Sequence, residues 1–407
     1  MTSKILQYNQ TQLEKWWNDY RKSMLGWAYL DKPSPVVLTT YYAKMVVEGD
    51  IPAGKNVILA CKRHLKDLER QGDEDFPWVF DEEKAHRPIR FIEKKCKPSK
   101  SVNAQLILQP WQHFIVGSMF GWVHRDTGLR RFREGLVFVG RKNGKTTLES
   151  GLADYMAGFD GERGANIYFL ANAQSQARKL YDESKAMIEA SPYLAKRFVT
   201  TRSEIRFPKT NSTIVPMSAE KNNKDGENVH FAVFDEIHEY KDYFLISAMK
   251  QARGARLQPL IMYISTAGYV LDGPLMDFID NGKEALSDYD AHIDERTFYY
   301  LASLDKVEES DDPELWIKAN PNLCLMDTVN LISDYIKDKR TPAEYATWLT
   351  KQFNIFSSTD ELSFVTIETI NKNKRMIDED TLLGRSCIGG YDLSETEDFT
   401  ATGLEFK

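Results

Sequence analysis

Residues 136–147 read L-V-F-V-G-R-K-N-G-K-T-T. An apolar run leads into a turn of small and polar residues. Behind it Leu148, Leu152, Tyr155 and Met156 recur at helical spacing. The pattern predicts a strand, a phosphate-binding loop and a helix. In such a loop successive main-chain N–H groups curl around an anion, so Gly144 stands where the chain must approach most closely. Lys145 supplies a point charge for the outer phosphates and Thr146 a hydroxyl for Mg2+, while the helix adds its positive N-terminal dipole. Gly140, Arg141, Lys142, Asn143 and Thr147 complete the candidate cradle. The usual first glycine is displaced: five residues before Gly144 stands Val139, with Gly140 one place late. A glycine-rich turn that binds nothing shares this composition, but the strand, the helix and the intact G-K-T-T favour a nucleotide. Arg141 reads either as an extra cation over the phosphates or as a solvated turn charge.

Nucleotide hydrolysis also requires carboxylates at the end of a neighbouring strand. V-H-F-A-V-F-D-E, residues 229–236, is an almost wholly apolar strand ending in Asp235 and Glu236, as expected of a parallel sheet buried on both faces. Asp235 would hold Mg2+, and Glu236 would orient and deprotonate the attacking water. A further strand, Leu260–Ile264, runs into Ser265 and Thr266, where open α/β sheets place ligands. These two either sense the terminal phosphate or form an ordinary polar strand end. Gln112, in L-Q-P-W-Q at 108–112, offers a donor and an acceptor suited to an adenine edge, or simply lies in a helix start after Pro110. The segment beyond it, with Phe114, Ile115, Met119 and Phe120, reads as amphipathic.

Strand candidates at 166–170, 204–207 and 212–216 alternate with helical patterns, which predicts an α/β doubly wound parallel sheet of the P-loop (ASCE) type over 102–271. A helical region is expected over 1–101, with amphipathic stretches around Trp16, Trp17, Tyr20 and Leu25 and over 57–68. A mostly helical lid is expected over 272–350, interrupted by the acidic E-E-S-D-D-P-E at 308–314. A linker follows at 351–385, and the start of another β unit at 386–407.

The four motifs L-Q-P-W-Q, G-R-K-N-G-K-T-T, D-G-E-N-V-H-F-A-V-F-D-E-I-H-E and I-S-T-A-G, in this order and spacing, resemble the large subunit of tailed-phage terminases. So do Tyr42–Arg70, with G-D-I-P-A-G-K and D-L-E-R, and Q-S-Q-A-R at 174–178. The resemblance implies ATP hydrolysis that drives viral double-stranded DNA into the capsid, with several copies in a ring on the portal protein and a small-subunit partner. It places the chain in the host cytoplasm, transiently at the portal and not in the mature virion. It turns Arg141, Gln112 and the Ser265–Thr266 pair into expected nucleotide contacts. It also implies an RNase H-like nuclease that cuts concatemeric DNA. S-C-I-G-G-Y-D-L-S at 386–394 matches the nuclease's first strand, with Asp392 as a catalytic, metal-binding aspartate for Mg2+ or Mn2+. Two-metal cleavage needs further carboxylates, normally on later strands and a helix. Glu395, Glu397 and Asp398 lie instead on an adjacent turn, so the nuclease reads as truncated and cleavage is not expected of these residues. Two other classes stay open: a nuclease acting without ATP, and a non-enzymatic docking fragment.

The four cysteines show no C-x-x-C pair and the seven histidines no metal spacing, which argues against zinc and a disulfide framework. His238 reads as a packing or hydrogen-bonding residue. No apolar run approaches a membrane span, and the N-terminal residues lack a signal-peptide core. The net charge of −7 is local: residues 360–407 carry 11 acidic against 5 basic groups, leaving 49 against 48 in the rest. Candidate DNA tracks are Arg130-Arg131-Phe132-Arg133 and the lysines between 94 and 100, each alternatively a solvated surface. An arginine finger acting on a neighbouring copy is sought at Lys224, Arg253 or Arg256.

Overall fold

The computed structural model describes residues 35–98, 105–218, 228–356, 382–392 and 401–406. They fall into two units, Met1–Ser357 and Ser358–Lys407. The expected stretch around Trp16–Leu25, Lys224 and the acidic residues 395–398 lie outside the described residues.

The first unit is built on an eight-stranded sheet. Its strands are β3 (Glu134–Phe138), β4 (Asn166–Ala171), β5 (Val199–Thr200), β6 (Ile205–Phe207), β7 (Ser212–Ser218), β8 (Val229–Asp235), β9 (Leu260–Ser265) and β10 (Thr297–Leu301), and their order in space is β10-β3-β9-β8-β4-β7-β6-β5. From β10 to β7 all neighbours are parallel, and β7-β6-β5 forms an antiparallel edge. The central strands read as continuous apolar runs because both faces are covered: every residue of β9, and all of β8 except Asp235, is buried. Strand β9 separates β3, which feeds the loop, from β8, which carries the acidic pair; Phe138 lies beside Ser265 and Ile264 beside Asp235. This is the expected ASCE arrangement.

Helices α1 (Pro35–Glu48), α2 (Lys55–Glu69), α3 (Glu82–Lys95), α4 (Pro110–Gly121), α5 (Lys145–Gly158), α6 (Gln174–Ala190), α7 (Phe244–Ala252) and α8 (Pro274–Ser287) pack around the sheet, with a two-stranded ribbon of β1 (Trp78–Phe80) and β2 (Trp122–His124). Local chemistry sets their ends. The Asp81 carboxylate accepts the Lys84 N–H at the start of α3, whose first turn carries Glu82 and Glu83 and whose last carries Lys94 and Lys95, complementing the helix dipole. Four expectations change here. Helix α4 is not amphipathic; all its residues are buried, Gln112, His113 and Ser118 included, because it lies against α1, α3 and β10. The boundary near 101 divides no core, since Tyr42, Val57, Ile89 and Ile92 share one cluster with the strands. Residues 272–301 join the main fold through α8 and β10. The smaller second core, with Trp316, Tyr335, Leu349 and Phe353, instead spans residues 304–353 and includes α9 (Thr328–Asp338). That core also moves the start of the linker, because Phe353 is fully buried.

His64 of α2 sits deep in this fold. Its Nδ1 accepts the Trp122 indole N–H at 3.1 Å and its Nε2 lies 3.2 Å from Thr40 Oγ1, so the neutral ring satisfies both neighbours. Burial, with the Arg131 charge acting the same way and Asp67 opposing, holds its pKa at about 4. The unfolded chain binds this proton near pH 6.5, so the associated stability is intact above about pH 6.5 and is lost as pH falls toward 4. The loss reaches up to about 3 kcal/mol. Urea midpoints measured from about pH 7 down to 4.5 are expected to fall less steeply in His64→Asn than in the wild type.

The second unit is described as a hairpin of β11 (Cys387–Asp392) and β12 (Ala401–Phe406), antiparallel with Asp392 opposite Ala401. Asp392 is the last residue of β11, and its side chain lies outside the described residues.

Candidate active site at the carboxyl edge of the sheet

After β3 the chain turns through two left-handed residues, Lys142 at φ 63° and Gly144 at φ 76°, before α5 begins at Lys145. The first turn of α5 has N–H groups that no helix carbonyl can reach, so the main chain from 142 to 147 offers the donors the predicted cradle needs, with exposed Thr146 beside them. The two preceding N–H groups are already engaged: Gly140 donates to Ala319 O and Arg141 to Lys351 O, both at 3.0 Å. Of the predicted contacts, Gly140 therefore brings no free main-chain donor, and Arg141 contributes only its exposed guanidinium. Asn143 is also committed. Its Nδ2 donates to Gly140 O, Arg141 O and Asn320 Oδ1, its Oδ1 accepts from Asn322 N, and its carbonyl accepts from Asn322 Nδ2. Trp111 Nε1 closes the set on Asn322 Oδ1 at 2.6 Å. The smaller core thus grips the loop directly. A Cβ on Gly140 would meet Asn320 Oδ1 at 2.5 Å and Gln352 O at 2.7 Å. Gly140→Ala is expected to lower the stability of the first unit by about 1–3 kcal/mol, read as a drop in denaturant midpoint with the protein still soluble.

Lys145 is buried, with Nζ 3.5 Å from Val139 O and 3.9 Å from Glu236 Oε1. The loop lysine and the acidic pair, 90 residues apart in sequence, converge on one point. Glu236 adopts φ 50°, a strained conformation of the kind kept at functional positions. Burial works to raise its pKa, but the His238 imidazole and the Lys145 ammonium prevail and hold the carboxylate at about 2. Asp235 is pushed the other way, to about 7, by burial and by the charge of Glu236. Glu149, one turn into α5, faces the same group; it is fully buried, and neither carboxylate oxygen has a hydrogen-bond partner. Burial and the nearby Asp235 raise its pKa well above the ordinary range.

Gln112 is 6% exposed and reaches the loop: its Nε2 lies 3.9 Å from where a Gly144 Cβ would stand, while its Oε1 caps its own helix through Gln109 N. The helix-start reading of Gln112 is met, and its amide nitrogen is left facing the loop. Ser265 and Thr266 are completely buried, and Ser265 Oγ lies 3.0 Å from His238 Nδ1 and accepts the His238 N–H at 3.1 Å. His238 is a hydrogen-bonding residue, as read from sequence, and it also joins two groups of the site. Its Nδ1 is also 3.0 Å from Glu236 Oε2, and its Nε2 is 2.9 Å from Lys351 Nζ.

The DNA-track reading of Arg130 and Arg131 changes. Arg131 is wholly buried, bound to Asp67 Oδ2 at 2.7 Å and Glu295 Oε2 at 2.5 Å; Arg130 is buried against Asp160. Neither forms a DNA track. Arg253 pairs with Glu134, and Arg256 with Glu162 and the carbonyls of Arg163 and Gly164, all at the opposite edge of the sheet from Lys145. Sequence reading missed Glu149, Asn320, Asn322 and Lys351. Glu149 had a signal, being four residues after Lys145 on the same helix face; the others had none.

Two family models match in tandem: "Terminase large subunit, ATPase domain" over residues 110–284 and "Terminase large subunit, endonuclease domain" over 291–407. The chain belongs to the terminase large subunit family. The terminase large subunit of Lactococcus phage p2 is 22% identical over 289 residues, covering 69% of this chain and 52% of the relative. Protein YmfN of Escherichia coli K12 is 28% identical over 179 residues, 44% of this chain and 39% of that protein. The chain therefore spans about half or less of the curated relatives it matches. The crystal structure of the HK97 bacteriophage large terminase superposes with a TM-score of 0.58 at 23% identity, over 79% of this chain and 64% of that one. That likeness is one of fold, and it agrees with the doubly wound sheet described above. Among the described residues no helix is long and apolar enough to cross a membrane.

Proposed function

We propose that this terminase chain is a DNA-packaging ATPase, hydrolysing ATP to move viral double-stranded DNA into a capsid. The observation that carries the reading is the convergence of Lys145, Asp235 and Glu236 at the mouth of the loop, with Lys145 Nζ 3.9 Å from Glu236 Oε1. Main-chain N–H groups from 142 to 147 bind the phosphates, Lys145 neutralises the outer ones, and exposed Arg141 adds a second cation. Gln112 lies within reach of the loop on the adenine side. Glu236 stays ionised and orients the attacking water. As Lys145 turns from Glu236 to the phosphates, the carboxylate loses a neighbouring cation and becomes a better proton acceptor. Ser265 and Thr266, at the end of the intervening strand, relay loss of the terminal phosphate.

The donor set suits Mg2+. Among the described residues no three His, Cys, Asp or Glu side chains form a cage, and Mg2+ is ordinarily held by one or two carboxylates together with substrate phosphates and water. Asp235 and the Thr146 hydroxyl supply the protein oxygens, and the unpartnered Glu149 carboxyl lies beside them. When bound there, Mg2+ neutralises charge on the triphosphate. The reading extends to a homo-oligomeric ring on the portal, a small-subunit partner, and action in the host cytoplasm. Within the segment matched by the endonuclease model, Asp392 is the proposed ligand of a nuclease Mg2+ or Mn2+. Plasmid nicking with Mn2+ that is lost in Asp392→Ala would establish that second activity.

Phosphate release from ATP, measured with and without linear duplex DNA, tests the main reading. Binding of a fluorescent ATP analogue is expected in the wild type and lost in Lys145→Ala. Wild-type protein that neither binds nor hydrolyses ATP would defeat the proposal.

A further inference from the structure

Lys351 has no part in the motifs above, yet it touches both halves of the site. Its ammonium is buried, 2.9 Å from His238 Nε2 and 2.9 Å from Ala267 O, with the Tyr269 ring 5.1 Å away. An ammonium donates three hydrogens and accepts none. His238 Nε2 must then be the acceptor, and the ring proton sits on Nδ1. There it serves Ser265 Oγ at 3.0 Å; Ser265 Oγ in turn donates to Thr266 O at 2.8 Å, and every donor in the chain has an acceptor. The opposite tautomer sets two N–H groups against each other at Nε2. It also leaves a bare Nδ1 lone pair 3.0 Å from Glu236 Oε2.

We infer that Lys351 is a positioning residue for Glu236: by donating to His238 Nε2 it fixes the imidazole proton on Nδ1, whose positive edge holds the carboxylate in place. The main chain of the same residue accepts the Arg141 N–H, and the next carbonyl, of Gln352, accepts Asn320 Nδ2. One residue therefore ties the phosphate loop, the smaller core and the catalytic carboxylate together. The role rests on Glu236 acting in hydrolysis as proposed above. Burial lowers the Lys351 pKa to about 8, aided by Arg141 and Lys145 and opposed by Glu236 and Glu239. Above that pH the neutral amine can accept a hydrogen bond from an Nε2–H as well as donate one to a bare Nε2, and the tautomer is released.

The test uses the full chain with 15N-labelled histidine, its seven histidines sorted by the signal lost in His238→Asn. Long-range 1H–15N correlation at pH 7 is expected to show His238 as the Nδ1–H tautomer in the wild type and in Lys351→Arg, and as a changed or mixed form in Lys351→Met. In steady-state ATP hydrolysis Lys351→Met is expected to lose about 10- to 100-fold in kcat, with KM for ATP within about twofold. Lys351→Arg should keep most of kcat and move the alkaline fall in rate, otherwise near pH 8, upward. An Nε2–H tautomer in the wild type, or a signature unmoved by Lys351→Met, overturns the inference without reference to ATP. A kcat unchanged in Lys351→Met while Glu236→Gln abolishes turnover overturns it too. Turnover that survives Glu236→Gln instead removes the hydrolytic reading, and the tautomer measurement is left to stand separately.

Discussion

Glu236→Ala is expected to reduce ATP turnover by about 10²- to 10⁴-fold, the usual contribution of a positioned general base, while nucleotide still binds. Binding should be equal to or slightly tighter than wild type, because Lys145 no longer has Glu236 as a competing partner at 3.9 Å. Steady-state phosphate release and equilibrium titration with a fluorescent ATP analogue separate the two quantities. Asp235 is not expected to substitute as base, because its proposed place is on the metal. Turnover within about threefold of wild type would remove Glu236 from the chemistry, since water positioning alone carries more than that.

Arg131→Ala is expected to be the most damaging substitution outside the site, costing about 3–5 kcal/mol because it strands a buried charge. The guanidinium is wholly buried; it holds Asp67 Oδ2 at 2.7 Å and Glu295 Oε2 at 2.5 Å, and its Nε donates to Glu295 O at 3.0 Å. Glu295 is partly exposed and can recover water, but Asp67 is 1% exposed and cannot. Urea denaturation should show the midpoint fall with little change in slope. The double variant with Asp67→Ala should be less destabilised than the sum of the singles, since neither charge is then left alone. A surface cation would behave otherwise, with an effect of at most a few tenths of a kcal/mol, and that outcome would return Arg131 to the DNA-track reading.

The difference between these two residues shows what a sequence discloses. The loop, the acidic strand and Ser265 were legible because main-chain geometry and two-sided burial force a composition: glycine where the chain meets an anion, unbroken apolar runs in parallel strands. Arg130 and Arg131 looked like surface because a run of cations is usually solvated; their partners Asp160, Asp67 and Glu295 lie 30 to 164 residues away. Helix α4 misled for a related reason, since its few polar residues suggested a wet face where the fold supplies none. The grip of Asn320 and Asn322 on Asn143 spans 177 and 179 residues and follows no period, so only the assembled fold brings it into view. Lys351 reads as the first residue of a linker, although its side chain closes the site from the far end of the smaller core.

The bonds from Ala319 and Lys351 to the N–H groups of Gly140 and Arg141 have a mechanical consequence. On the proposed reading, tilting residues 304–353 pulls on the two residues that lead into the phosphate loop, and no slack intervenes between lever and load. Rearrangement around a nucleotide held there would be felt by the small bundle through the same two bonds. Disengaging them would require breaking this short ladder first.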